Sequence, residues 1–162
     1  MTKSFSITSG DIKSAISIMK EAALWIESKS QALWDTADLK ENILLKDLTA
    51  DNFYVGYLED EPIVTMILKF YDPEFWDTIC PNESGFIHKL SITREYAGKG
   101  YVAKMIEHAQ MICVQKGITY LRLDCDANRP KLCRVYEKLG FKKVGRKVIN
   151  NYDTAFYELS LI

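Results

Sequence analysis

A chain of 162 residues, 48% hydrophobic and 27% charged, has the composition of one soluble globular domain. At that length it buries roughly two-thirds of its unfolded surface in a single core. A net charge of −1 and a pI near 6.1 argue against a general nucleic-acid or membrane-surface binder, although a local basic face stays compatible with them.

The longest apolar stretch, Ile63 to Leu68, is interrupted by Thr65 and too short to span a bilayer. The opening MTKSFSIT lacks the apolar core of a signal peptide, so a cytoplasmic location is expected. Cys80, Cys113, Cys125 and Cys133 have neither metal-ligand nor redox-motif spacing, and His88 and His108 are the two histidines. Reduced thiols and no metal are the expectation.

No repeat or linker divides the chain, and the elements follow in order. Lys3–Thr8 reads as a strand. Asp11–Lys29 carries Ile12, Ala15, Ile16, Met19, Ala23 and Ile26 at a period near 3.6, which predicts an amphipathic helix. A shorter helix is expected after Thr36, using Leu39, Ile43, Leu44 and Leu48. Phe53–Leu58 and Ile63–Phe70 form a hairpin pattern around the turn Glu59-Asp60-Glu61-Pro62. The stretch from Tyr71 to Gly85 is irregular, and Phe86–Ile92 is the next strand.

The second half is punctuated by glycines. Tyr101–Lys116 predicts a helix with Val102, Met105, Ile106, Ala109, Ile112 and Cys113 on one face and Gly117 as its stop. Tyr120–Cys125 alternates as a strand does. Arg129–Leu139 predicts a helix with Pro130 near its start and Gly140 at its C′ position. Lys142–Ile149 and Thr154–Leu161 complete a closing hairpin. The expected order is β-α-α-β-β-β-α-β-α-β-β, an α/β chain with a sheet of mixed strand directions.

Gly98-Lys99-Gly100 lies between the strand Phe86–Ile92 and the helix from Tyr101. A glycine-rich turn of this kind brings backbone N–H groups and the positive end of the helix dipole to a phosphate or pyrophosphate. Its spelling through Ala103 matches the dinucleotide fingerprint G-x-G-x-x-A, with Asp124 at the distance of a ribose-binding acid. Six or so elements precede the turn, however, and too few strands follow it for a dinucleotide fold.

A longer set of segments carries the other reading. FIHKLSITREYAGKGYVA (Phe86–Ala103), LRLDCDAN (Leu121–Asn128) and CRVYEKLGFKK (Cys133–Lys143), in that order, closely resemble the GNAT superfamily of acetyl-CoA-dependent N-acetyltransferases. Tyr136-Glu137-Lys138-Leu139-Gly140-Phe141 reproduces the family's Tyr-Glu-x-x-Gly-Phe. The resemblance covers about Leu58 to Val144, and the first fifty residues in layout alone. Two positions depart from the family pattern. Ala97 stands where Arg or Gln opens the turn, and Val102 stands where the last Gly or Ala is usual.

The resemblance implies a mostly antiparallel sheet that opens after the strand Phe86–Ile92. Acetyl-CoA would be the co-substrate and an amine the acceptor, with no metal, and a homodimer is left open. The turn Ala97, Gly98, Lys99, Gly100, Tyr101 and Val102 would take the pyrophosphate, chiefly through backbone donors. Backbone groups at Leu90, Ser91 and Ile92 would hold the pantetheine arm, and one N–H would polarise the thioester carbonyl. Asn128, first of all a helix-cap residue, would also contact the cofactor.

Tyr136 is implied as the general acid for the departing thiolate. Its place in the stripe Leu132, Val135, Tyr136 and Leu139 fits a core aromatic equally well. An amine with a pKa near 10.4 costs about 4–5 kcal/mol to deprotonate at pH 7, so a base is needed. Glu83, at a position from which family members often supply a carboxylate, is the first candidate, against a solvated loop acid. His88, which alternation places with packed residues, and Asp124 are weaker ones.

Tyr71–Gly85 sets Asp72, Glu74, Asp77 and Glu83 among Tyr71, Phe75 and Trp76, a mixture suited to a cationic amine. That stretch makes Trp76 a candidate substrate contact; residues 23–34 resemble the first-helix region that walls the acceptor in the family, which makes Trp34 another, while Trp25 reads as structural. The alternative to an active enzyme is a degenerate module of the same fold that binds acetyl-CoA or a partner protein.

Overall fold

The computed structural model describes residues 2–29 and 34–162. Among the described residues, strands β1 (Phe5–Ser9), β2 (Phe53–Leu58), β3 (Glu61–Lys69), β4 (Ser84–Ile92), β5 (Tyr120–Asp126), β6 (Lys142–Ile149) and β7 (Tyr152–Ser160) are accompanied by four α-helices. These are α1 (Ile12–Ser28), α2 (Glu41–Leu44), α3 (Tyr101–Gln115) and α4 (Pro130–Lys138). The strand order is β1-β2-β3-β4-β5-β7-β6, mostly antiparallel, with β4 and β5 parallel. The element order matches the expectation. Among the described residues no helix is long and apolar enough to cross a membrane.

The chain divides into two compact units, Met1–Leu68 with Lys89–His108, and Lys69–His88 with Ala109–Ile162. In the first, β2 pairs with β1 from Phe5↔Leu58 to Ser9↔Tyr54 and with β3 from Phe53↔Ile67 to Leu58↔Glu61. Helix α1 starts where the Asp11 carboxylate accepts from Ser14 N–H, satisfying one orphan donor of the first turn. Its face of Ile12, Ala15, Ile18, Met19 and Ala23 packs with Leu39, Phe53, Val55 and Ile67. Full burial of each larger member contributes about 1.5–3 kcal/mol.

Two expectations in this unit change. The helix after Thr36 is broken into Thr36–Asp38, α2 and Ala50–Asn52, the outer two of 3₁₀ type. A side-chain and backbone box between Thr49 and Asn52 starts the last piece afresh. The hairpin turn is Glu59-Asp60 alone, because Glu59 adopts φ 54° and reverses the chain within two residues. Pro62 therefore lies inside β3, opposite Tyr57 at a register shift, where a missing N–H is tolerated.

In the second unit β5 pairs with β7 from Tyr120↔Ser160 to Asp126↔Thr154, and β7 pairs with β6. Both glycine stops form as the sequence predicts. Gly117 (φ 74°) and Gly140 (φ 97°) each take the left-handed conformation. Gly117 N–H bonds to Val114 and Ile118 N–H to Cys113; Gly140 N–H bonds to Glu137 and Phe141 N–H to Tyr136. These paired bonds satisfy the last carbonyls of α3 and α4.

Candidate active site

The glycine turn belongs to the first unit. Gly98 (φ 75°) and Gly100 (φ 92°) both occupy backbone space that favours glycine. A Cβ on either would meet no heavy atom within 4 Å, so the turn faces open space. The first bond closing onto the turn runs from Lys104 N–H to Gly100 O, which leaves the N–H groups of Tyr101, Val102 and Ala103 outside the intrahelical ladder. That donor set suits a pyrophosphate.

The start of α3 is held by rings. Tyr101 packs on Tyr96 (6.1 Å between centroids) and Phe5 (5.2 Å). Tyr96 is 8% exposed and donates its hydroxyl to Glu61 Oε2 at 2.8 Å. Accepting that hydrogen bond, Glu61 pushes the Tyr96 pKa up to about 12. Lys99 Nζ lies 5.5 Å from the Tyr96 ring. Val102 is half-buried and Ala97 extended (φ −62°, ψ 142°).

Strand β4 carries a backbone distortion within its length. Lys89 adopts φ 50°, rare for a residue with a side chain and costly in backbone strain. Ser91, 5% exposed, folds its hydroxyl back onto Lys89 O at 2.9 Å, and Leu90 and Ile92 are half-buried. The ammonium of Lys89 lies 4.7 Å from the Trp34 ring centroid. Trp34 is half-buried against the α1 core cluster, and Trp25 carries the Arg94 guanidinium 3.6 Å above its ring.

In the second unit β4 pairs with β5 from Ser84↔Tyr120 to Ile87↔Leu123, and the register ends there. The next residues on the two strands are His88 and Asp124. With Asp72 they form a cluster whose nitrogen and carboxylate oxygens all lie within 4.8 Å of one another. His88 Nε2 is 2.9 Å from Asp72 Oδ2, and Lys69 Nζ is 3.6 Å from Asp72 Oδ1. Asp72 is 1% exposed.

The two carboxylates are driven apart. Burial alone would raise Asp72, but His88 and Lys69 bring it below the ordinary value. Asp124 is dominated by burial, and with His88 only partly compensating, its pKa rises to about 6. Opposed shifts on two neighbouring acids make the cluster a candidate proton-handling group.

Trp76 supports this cluster from the core. It is 9% exposed, 5.0 Å from the Phe156 ring and 5.9 Å from Phe86. It is therefore a packed core residue that also acts on Asp124. Glu83 sits exposed one residue before β4. In sequence Asp72 stands among the loop acids of Tyr71–Gly85. It pairs with His88, 16 positions away, and no local pattern reveals such a pairing.

Tyr136 is 7% exposed on α4. Its ring meets Phe141 at 6.1 Å and Tyr157 at 6.3 Å. Tyr136 and Phe141 are thus the residues that flank the helix stop, and their contact accompanies the Gly140 cap. Burial first, then nearby Cys125, holds the Tyr136 phenol well above its usual pKa, so it keeps its proton at neutral pH. Asn128 is not the helix cap. Arg129 takes that place ahead of Pro130, while exposed Asn128 bonds through N–H to Asp126 Oδ1 and through Nδ2 to Asp153 Oδ2.

A model of the acetyltransferase (GNAT) family matches residues 19–141. An uncharacterized N-acetyltransferase, YesJ of Bacillus subtilis (strain 168), is 23% identical over 143 residues, 83% of this chain and 78% of the relative. A GNAT-family acetyltransferase from Listeria monocytogenes 4b F2365 superposes with TM-score 0.74 at 18% identity, covering 99% of this chain and 98% of that one. The PaiA N-acetyltransferase from Thermoplasma acidophilum, solved with coenzyme A, gives TM-score 0.74 at 19% identity, covering 97% and 99%.

Proposed function

Because the chain belongs to the GNAT acetyltransferase family, we propose that it moves an acetyl group from acetyl-CoA to a primary amine by direct attack. The observation that carries this reading is the end of the β4–β5 register at Ile87↔Leu123, with His88 and Asp124 next on their strands.

The backbone donors of Gly98–Val102 hold the pyrophosphate, with Lys99 adding one positive charge. Leu90, Ser91 and Ile92 offer backbone groups to the pantetheine arm, and Asn128 a side-chain amide. Trp34 lies along the acceptor. Acetyl-CoA supplies the activated thioester.

The proton comes off the amine to the cluster of Asp72, His88 and Asp124. A carboxyl with a pKa of about 6 is mostly ionised at pH 7, yet holds a proton better than an ordinary carboxylate. This assignment moves the base from Glu83 to the cluster. Tyr136, protonated at neutral pH, supplies a proton to the departing sulfur. The thiol beside it, Cys125, is held protonated by burial, which favours direct transfer over an acetyl-cysteine intermediate.

Thermal unfolding with acetyl-CoA, set beside NAD, tests the reading. A ligand at a hundredfold its dissociation constant adds about 2.7 kcal/mol, or roughly 5–10 °C for a domain of this size. A shift with acetyl-CoA alone is expected. A shift with NAD alone overturns the assignment.

A further inference from the structure

Cys125 on β5 and Cys133 on α4 bring their sulfurs to 3.8 Å, within one compact unit. Cys125 is 6% exposed and Cys133 half-buried. Cys133 lies one helical turn before Tyr136, and Cys125 is close enough to act on the Tyr136 phenol. The other two thiols, exposed Cys80 and buried Cys113, do not share this contact.

We propose that Cys125 and Cys133 are a reversible disulfide site, at which hydrogen peroxide ties β5 to α4 beside Tyr136 and a dithiol releases it. Cys133, the more accessible sulfur, attacks one peroxide oxygen. The O–O bond breaks, water leaves, and a sulfenic acid remains on Cys133. The Cys125 thiol then attacks that sulfenic sulfur, giving up its proton as it does so, and the sulfenic hydroxyl leaves with that proton as a second water. Both thiol protons leave in the waters, and the two electrons lost by the sulfurs reduce the peroxide.

The bond has a mechanical consequence at Tyr136. A disulfide holds its sulfurs at about 2.05 Å, so the 3.8 Å gap closes by about 1.8 Å through side-chain rotation together with movement of the α4 turn that carries Tyr136. Misplacement of a reacting group by about 1 Å costs up to about a hundredfold in rate. Oxidation therefore slows acetyl transfer, a consequence that rests on the acetyltransferase reading; the bond itself does not.

The test treats the native protein with hydrogen peroxide, blocks free thiols, and digests with trypsin, which separates the two cysteines by cleaving after Lys131. The expected product is a disulfide-linked pair of peptides carrying Cys125 and Cys133, about 2 Da lighter than the reduced pair. Dithiothreitol abolishes it, and it is missing from both Cys133→Ser and Cys125→Ala. Oxidation confined to Cys80, or Cys133 advancing to sulfinic acid with Cys125 still free, overturns the proposal.

Acetyl transfer by the oxidised wild type is expected to fall at least about tenfold and to return with dithiothreitol, whereas Cys133→Ser stays indifferent to peroxide. A linked peptide with unchanged turnover overturns the clamp. A reduced protein without turnover counts against the acetyltransferase reading alone, since the linked peptide is read without any substrate.

Discussion

His88 Nε2 lies 2.9 Å from Asp72 Oδ2, and His88 is the first residue of β4 beyond its last pair with β5. The contact joins a strand residue to a loop carboxylate that is 1% exposed. A buried aspartate held ionised by a histidine and a lysine fixes the imidazole where the two strands cease to pair. Asp124 completes the group from β5.

If this cluster accepts the amine proton, His88→Gln lowers kcat/KM by about a hundredfold, while Glu83→Gln changes it by less than about twofold. The measurement is the initial rate of thiol release across a range of amine concentrations. The opposite pattern, with Glu83 essential and His88 dispensable, returns the base to the exposed loop acid.

Asp124 makes a stability prediction with a definite sign. Its folded pKa of about 6 exceeds that of an unfolded carboxyl, near 3.9. Between those values the folded chain binds more protons, so this group's contribution is lost as the pH rises from about 4 to 6. Asp72, shifted downward, works oppositely: its contribution is present above the unfolded value and lost as the pH falls through the folded one. Asp124→Asn therefore gains roughly 2–3 kcal/mol over wild type at pH 7 and little at pH 4. Denaturant unfolding at the two pH values checks this, and an equal gap at both contradicts it.

Tyr136→Phe keeps the ring contacts with Phe141 and Tyr157 and removes only the hydroxyl. Turnover falls about a hundredfold, while the thermal shift with acetyl-CoA persists. An unchanged kcat ends the general-acid role.

The parts of this fold visible in the sequence are those with local causes. Gly117 and Gly140 announce their helix stops because only a left-handed residue closes the paired bonds there. The turn at Gly98-Lys99-Gly100 is legible for the same reason. The region after Thr36 misleads because Leu39, Ile43, Leu44 and Leu48 keep a helical period although only Ile43 and Leu44 lie in a helical piece, α2. Asn128 looks like a cap, but Arg129 and Pro130 begin the helix and the Asn128 amide turns to Asp153. Trp76 in an acidic loop suggests a binding surface, yet the ring is buried against Phe86 and Phe156. Asp72 was beyond reach, since its environment is assembled from β4 and β5.

Two glycines separate steric from conformational demands. A Cβ at Gly56 would lie 2.5 Å from Val64 Cγ1 and 2.6 Å from Phe5 Cζ, so Gly56→Ala costs about 1–3 kcal/mol through overpacking. At Gly100 there is room, but φ is 92°, and Gly100→Ala costs about 1–2 kcal/mol through backbone strain. Only the second substitution weakens acetyl-CoA binding when each variant is titrated below its own melting temperature. Equal loss of binding in both contradicts the assignment of the turn.

The central claim is acetyl transfer to an amine. Its most direct test incubates the reduced protein with acetyl-CoA and a panel of small and peptide amines, following free thiol and product mass together. Thiol release that depends on one class of amine and matches, mole for mole, an amide product is expected. Binding of acetyl-CoA with no amine-dependent release across the panel would contradict it and leave a protein of this fold that holds the cofactor without turnover.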